Sequence, residues 1–244
     1  MIDYATLSEI GEKYKNEDAV RVFVNQPLAA YGFVLADGLG GHGNGDVAST
    51  FVADCVGAVI ENTDQIRDDL PDQCFEIAQE MLLDEKDRTG FLSIQTTLVV
   101  MLMTKTQVWW GHIGDSRLYH FRNGKLLTRT LDHSVPQMLA LSGQIKEKDI
   151  RRHADRNLLL RALGTEWDDI AYEIDTRGQK LQKGDVFLLC SDGFWDWIDE
   201  KTMTKILKKG LSAFDTLQEM RQIVETNGMG QGMDNYSAIL VCVR

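Results

Sequence analysis

The sequence predicts an α+β domain built on antiparallel sheet, and two observations carry that expectation. From Thr96 to Leu127 the chain reads as strand, polar turn at Lys105, strand, Gly114–Asp115–Ser116 turn, strand, and an Asn123–Gly124 pair of the type I′ hairpin kind. Consecutive hairpins mean antiparallel neighbours. Elsewhere, short apolar runs rich in β-branched and aromatic residues alternate with a few amphipathic segments.

In chain order, the apolar runs Ile2–Ser8, Ala19–Asn25 and Tyr31–Ala36 are the first strands. A helix over Gly45–Asn62 follows, because Val47, Phe51, Cys55, Val59 and Ile60 share a face at helical spacing. Asp69–Arg88 is a second amphipathic segment. The meander supplies strands Thr96–Thr104, Gln107–Ile113, Arg117–Arg122 and Lys125–Leu127, and Val135–Ser142 is a short helix. Strands Ile170–Asp175 and Val186–Cys190, helices Asp199–Lys209 and Ala213–Thr226, and strand Ser237–Val243 complete the chain.

The 244 residues, 43% hydrophobic and 26% charged, suit one domain with a substantial core, and with only three prolines and no low-complexity linker or repeat no boundary announces itself. No stretch approaches the roughly 20 apolar residues that span a bilayer, and the first residues lack a signal-peptide profile, so the expectation is a cytoplasmic protein without a membrane partner. Cys55, Cys74, Cys190 and Cys242 are widely spaced and read as reduced thiols, mostly buried. A formal net charge of −11 argues against a nucleic-acid partner and suits a cation site.

Gly38, Gly40 and Gly43 have the spacing of a dinucleotide fingerprint. The context is wrong: hairpins replace the strand–helix–strand alternation, and the acids about 20 residues on, Asp54 and Glu61, fall in or at the end of a helix. A P-loop is excluded because no Gly-Lys-Ser/Thr follows at the required distance. The informative residues are aspartates: Asp37, Asp115 and Asp192 end apolar strands and Asp234 precedes one. Each alone is an ordinary turn residue. If the four strand ends converge, repulsion raises the carboxyl pKa values unless a cation neutralises them. Hard oxygen ligands favour Mg²⁺ or Mn²⁺ over zinc, and the five histidines are dispersed. Asp37 is the best bridging ligand, because the following glycine lets the Gly38 carbonyl approach a metal.

The ordered motifs resemble the metal-dependent protein serine/threonine phosphatases of type 2C in their bacterial form. The matching segments are Lys13–Asp18, Ala36–Ser49, Thr96–Val100, His112–Tyr119, Leu127–Ser134, Leu158–Gly164, Gly184–Asp196 and Asp234–Val241. The resemblance covers nearly the whole chain and implies a four-layer α-β-β-α sandwich, two mainly antiparallel sheets flanked by helices, in a single domain over 1–244 with a flap near 133–160. It implies that Asp37 bridges two Mg²⁺ or Mn²⁺ ions, that Asp192 and Asp234 complete the first, and that the Gly38 carbonyl serves the second. Asp115 with Asp192 holds a third, weaker ion. Glu17 and Asp18 act through hydrogen bonds and metal-bound waters. The implied reaction is hydrolysis of phosphoserine and phosphothreonine in proteins by a metal-bridging water or hydroxide, without a phosphoenzyme. The absence of a Cys-x5-Arg loop, a D-x-D motif and the carboxylate–histidine sets of other dinuclear phosphoesterases agrees. Implied partners are phosphoproteins, with a cognate Ser/Thr kinase and its targets, and the chain is expected to be a monomer.

Two departures from the family stand out. Lys13 occupies the place of a phosphate-gripping arginine, and a lysine is a point charge without the bidentate fork. Either Lys13 binds the substrate phosphate, or it is a solvated residue and Arg161 or Arg117 contributes. Leu39 stands where eukaryotic members carry a histidine, so proton delivery to the leaving oxygen falls to a metal-bound water or His42, itself readable as a turn residue. Gln95–Thr97, in place of a Gly-Thr-Thr, reads as a change at a strand start. Trp109, Trp110, Trp195 and Trp197 read as core, and Arg117 and His133 as residues that orient turns. The basic stretch Lys146–Arg156 is either a solvated helix face or a local attraction for a phosphorylated segment. A catalytically silent module of the same fold and a hydrolase of small phosphate esters are the alternatives.

Overall fold

A computed structural model describes residues 1–40, 43–91 and 93–244; His42 lies outside the described residues. Among the described residues ten strands form two five-stranded sheets, all of whose pairs are antiparallel. One sheet runs β2 (Asp18–Asn25), β3 (Ala30–Asp37), β4 (Leu98–Met103), β5 (Gln107–Ile113), β8 (Glu173–Lys180). The other runs β1 (Ile2–Glu9), β10 (Tyr236–Val243), β9 (Asp185–Cys190), β6 (Arg117–Arg122), β7 (Lys125–Arg129).

Alternation along the strands builds the layers. In β3, Phe33 and Leu35 face the other sheet and pack with Met101, Trp110, Phe187, Leu189 and Ile239. Val34 and Ala36 face the opposite way, under the helices α1 (Gly45–Asn62) and α2 (Leu70–Thr89). Helices α4 (Asp192–Trp195), α5 (Glu200–Leu207) and α6 (Ala213–Gly228) cover the outer face of the second sheet. The result is helix, sheet, sheet, helix, as the resemblance implied. Strands buried on both faces read as continuous apolar runs, which is why the sequence exposes them.

Three local expectations change. Helix α1 has the expected span, but its deepest stripe is Ala48, Val52, Val56 and Ile60, one residue on from the expected face. Small residues set that rotation: a side-chain carbon at Gly57 would collide with the Phe23 ring. Strand β8 lies later than Ile170–Asp175, because Ala171 and Tyr172 pack on α2, where Tyr172 stacks on Phe75 at 4.9 Å. The strand itself is a polar edge with a bulged register against β5, so no apolar run marks it. Lastly, Lys105 and Asn123–Gly124 do join hairpin partners, the latter pair with φ of 51° and 66°, but Gly114–Ser116 is no hairpin. It carries the chain from one sheet to the other.

The remaining elements are the short helix α3 (Val135–Leu141), capped by Ser134, and a 3₁₀ turn, Glu147–Arg152, inside the basic stretch. No described helix is long and apolar enough to cross a membrane.

Candidate metal centre

The strand ends that carry the aspartates meet at one end of the sandwich. β3 ends at Asp37, and antiparallel register sets Asp18 directly beside it. Asp192 opens α4 just after β9, Asp234 lies just before β10, and Asp115 sits where the chain changes sheets. Asp37, Asp115, Asp192 and Asp234 line one cavity of 690 Å³, together with Glu17, Lys13 and the Gly38 backbone, with Asp18 just behind Asp37. The convergence read from the sequence is thus present in space.

Hydrogen bonds to the main chain position Asp37 and Asp115. The Asp37 N–H donates to Thr97 Oγ1 at 3.0 Å, the Thr97 N–H donates to the Asp37 carbonyl at 2.9 Å, and Thr96 Oγ1 donates to that same carbonyl at 2.9 Å. Thr97 Oγ1 also meets Ser116 Oγ at 2.8 Å, which ties the Asp37 strand to the residue after Asp115. On its other side, the Asp115 carbonyl accepts from Trp195 Nε1 at 3.0 Å. Arg117 stacks on that indole at 3.5 Å and forks onto Asp132 at 2.7 and 2.6 Å. His133 clasps Gly114, donating its N–H to the carbonyl at 2.9 Å and accepting the Gly114 N–H on Nδ1 at 3.2 Å. Arg117 and His133 therefore orient the crossing, as expected.

Asn235 is a residue sequence reasoning missed. Its Nδ2 donates to the carbonyls of Ile10 at 2.8 Å and Lys15 at 2.9 Å, and its Oδ1 accepts the Glu17 N–H at 2.8 Å. It thereby stitches the loop bearing Lys13 and Glu17 to the neighbour of Asp234. The roles of Thr96, Thr97 and Trp195 were missed likewise. The only sequence signals were an Asp-Asn pair at a strand start and a Thr-Thr pair read as unremarkable.

The electrostatics are those of crowded, buried acids. Burial first, and then the charges of Asp18, Asp192, Asp115 and Asp234, push the Asp37 pKa well above its ordinary value. Asp115 is raised by burial, then by Asp192 and Asp132, against the opposing pull of Arg117. Asp192 is raised by burial and by Asp234, with Arg156 opposing. Asp18 is pushed up to about 7 by burial, although the Ser237 and Ser191 hydroxyls pull it down.

The donor set fits hard divalent cations. The four aspartates and the Gly38 carbonyl offer oxygen ligands, and beside them Asp18 Oδ1 is buried with no hydrogen-bond partner among the described residues. A side chain at Gly38 would collide with the Gly45 carbonyl, so only glycine lets α1 close on this strand end. One cation already sits on the set: Lys13 Nζ contacts Asp234 Oδ2 at 2.8 Å. Arg117 is consumed by Asp132 and Tyr119, and among the described residues Arg161 donates to the Ala171 carbonyl alone, at 3.4 Å. Among the described residues lining the cavity, Lys13 is the one cation, and from outside that lining Arg156 Nη1 comes within 3.7 Å of Asp192 Oδ2.

A second cluster, His112, His133 and Glu173, has metal-like proximity. Its hydrogen bonds oppose that use. His112 places one ring nitrogen 2.9 Å from Asp175 and the other 2.7 Å from the Leu131 carbonyl, so both nitrogens face acceptors, and the Gly114 N–H already occupies His133 Nδ1.

The comparisons with known proteins agree with this geometry. Residues 7–236 match the family model described as Protein phosphatase 2C. The serine/threonine phosphatase stp of Listeria monocytogenes is 35% identical over 240 residues, covering 94% of this chain and 90% of that one. The crystal structure of Stp1, a serine/threonine phosphatase from Staphylococcus aureus, superimposes with a TM-score of 0.89 at 27% identity, over 100% of this chain and 96% of that one. The catalytic domain of the phosphatase PstP, in complex with two manganese ions, gives a TM-score of 0.83 at 25% identity, over 99% and 97%. The chain belongs to the protein phosphatase 2C family. It is an enzyme of the divalent-metal-dependent kind.

Proposed function

We propose that this metal-dependent protein serine/threonine phosphatase hydrolyses phosphoserine and phosphothreonine at the acidic cavity. Asp37, Asp192, Asp234 and the Gly38 carbonyl hold two Mg²⁺ or Mn²⁺ ions, and Asp115 with Asp192 holds a third. The observation that carries the reading is the meeting of four aspartates from two sheets, Asp115 buried and Asp37, Asp192 and Asp234 half-buried, on one cavity wall with Lys13 beside Asp234 and Arg156 beside Asp192. When bound, the ions offset phosphoryl charge and acidify water for in-line attack. Lys13 meets the phosphoryl oxygens as a point charge, while Glu17 and Asp18 hold the surrounding hydrogen bonds. No cysteine, serine or histidine is among the described lining residues, which favours direct attack by water over a covalent carrier on such a side chain.

The reading extends to a monomer of one domain, with a flap near 133–160, acting in the cytoplasm on the targets of a cognate Ser/Thr kinase. Its test is phosphopeptide hydrolysis after EDTA treatment. Mn²⁺ should restore turnover, and Asp37→Asn or Asp192→Asn should lower kcat by on the order of 10²–10³-fold or more. Turnover insensitive to EDTA overturns the mechanism. Metal binding with no turnover of any ester selects the silent module, and turnover confined to small esters selects that alternative.

A further inference from the structure

Beside the acidic cavity lies a second cleft of 240 Å³, and Asp234 lines both. Its far wall is the basic stretch, which supplies Arg151, Arg152 and Arg156 and faces Trp197 and Gln231. Three guanidiniums on a protein of net charge −11 invite explanation, and their partners differ.

Arg151 is consumed within the fold. Its Nη2 donates to Glu200 Oε1 at 2.5 Å, and the guanidinium lies 5.4 Å from the Trp195 ring centroid. Arg156 is consumed as well, paired with Asp196 and 3.7 Å from Asp192 Oδ2. Arg152 is different. Among the described residues it has no carboxylate within ion-pair distance, and it is exposed, with its guanidinium 5.8 Å from the Trp197 ring centroid. A guanidinium held near an indole ring at cation–π distance is biased toward that side while its N–H fork stays free. The acids of the cleft, Asp196 and Asp234, are already matched by Arg156 and Lys13. The uncompensated charge of this cleft is that of Arg152.

We propose that Arg152 is a specificity-determining residue that receives an acidic side chain flanking the phosphorylated residue of the substrate. The proposal rests on the protein phosphatase reading above. A phosphorylated residue in the acidic cavity passes its neighbouring chain over the shared Asp234 wall into the cleft. There a glutamate or aspartate finds a fork suited to bidentate contact. Elsewhere the acidic surface repels such a flank, so the preference depends on this one position.

The test is a set of phosphopeptides, neutral except for one glutamate walked along either flank, assayed with Mn²⁺ for kcat/KM relative to the all-neutral peptide. Hydrolysis of p-nitrophenyl phosphate reports on folding and the metal centre of each variant. For the wild type, at least one glutamate position should be preferred about threefold at low salt, fading as salt rises. The ratio should fall to about one in Arg152→Ala, invert in Arg152→Glu and survive in part in Arg152→Lys. A ratio equal in the wild type and Arg152→Glu, or no preference in the wild type, overturns this inference alone. No turnover of any phosphopeptide overturns the phosphatase reading and this inference with it.

Discussion

The middle and the end of the same three strands obey opposite physics. Phe33 and Leu35 on β3, Leu189 on β9 and Ile239 on β10 are fully buried between the sheets, where apolar area lost from water stabilises the fold. Two or three residues further on, β3 delivers Asp37 and β9 delivers Asp192, and β10 starts just after Asp234. There, burial and like charge act against the fold. The frame holds the carboxylates together because its core and ladders outweigh their repulsion, so the acids are assembled before anything neutralises them.

That contrast is broken most forcefully from the core side. Phe187 is fully buried between the sheets, stacked on His120 at 4.5 Å. Phe187→Ala should cost about 3–5 kcal/mol of stability, measured by denaturant unfolding with or without metal. A loss below 1 kcal/mol would mean that the inter-sheet core is not the frame.

At the other end, pH is the lever. Folded Asp37, Asp115 and Asp192 have raised pKa values, and Asp18 is pushed up to about 7, so between the ordinary carboxylate range and those values they hold protons that the unfolded chain has released. Their contribution is therefore fully present below about pH 4 and lost as pH rises through the folded values. His112, raised by the Asp175 hydrogen bond against its burial, has the same sign in a higher window. His133, pushed down to about 3 by burial, and His120, lowered by burial, work the other way below about 6.5, two imidazoles against four carboxyls and His112. In EDTA the melting temperature should fall by about 5 °C or more from pH 5 to pH 7.5. Mn²⁺ should reverse or flatten the slope, because ligation favours the deprotonated acids. A metal-free protein that gains stability over that window would show that the acids are not strained.

A smaller effect isolates one charge. Asp37→Asn removes the carboxylate with the largest set of like-charged neighbours while keeping its size. In EDTA at pH 7.5 it should raise stability by about 1–2 kcal/mol, and Mn²⁺ should stabilise it less than the wild type. Opposite signs from Phe187→Ala and Asp37→Asn are the sharpest statement of the comparison.

What the sequence reveals divides along the same line. Buried strands announce themselves as apolar runs, and an aspartate at the margin of such a run is visible without any structure. Strand β8 is a polar edge and leaves no such trace. The Gly114–Ser116 link resembles a hairpin turn because local sequence does not say which sheet the next strand joins. That crossing is what brings Asp115 to the others. Thr97, Trp195 and Asn235 act through hydrogen bonds to backbone atoms roughly 60 to 225 residues away, and such pairings require the register of both sheets.

Lys13 gives the mildest test, and the one most particular to this chain. Its ammonium rests on Asp234 at 2.8 Å, and burial and that carboxylate pull its pKa in opposite directions: burial lowers it, but the hydrogen bond and charge of Asp234 outweigh burial, so the net shift is upward. An ammonium offers one charge with rotatable donors, whereas a guanidinium offers a fixed fork that matches two phosphoryl oxygens. Lys13→Arg should therefore lower KM for a phosphopeptide by about two- to fivefold, with kcat changed less, because the gain is made in the bound substrate as well as in the transition state. Lys13→Met should raise KM by more than Lys13→Arg lowers it. If both variants leave KM unchanged, the lysine balances Asp234 alone, and the phosphate is held entirely by the metal end of the cavity.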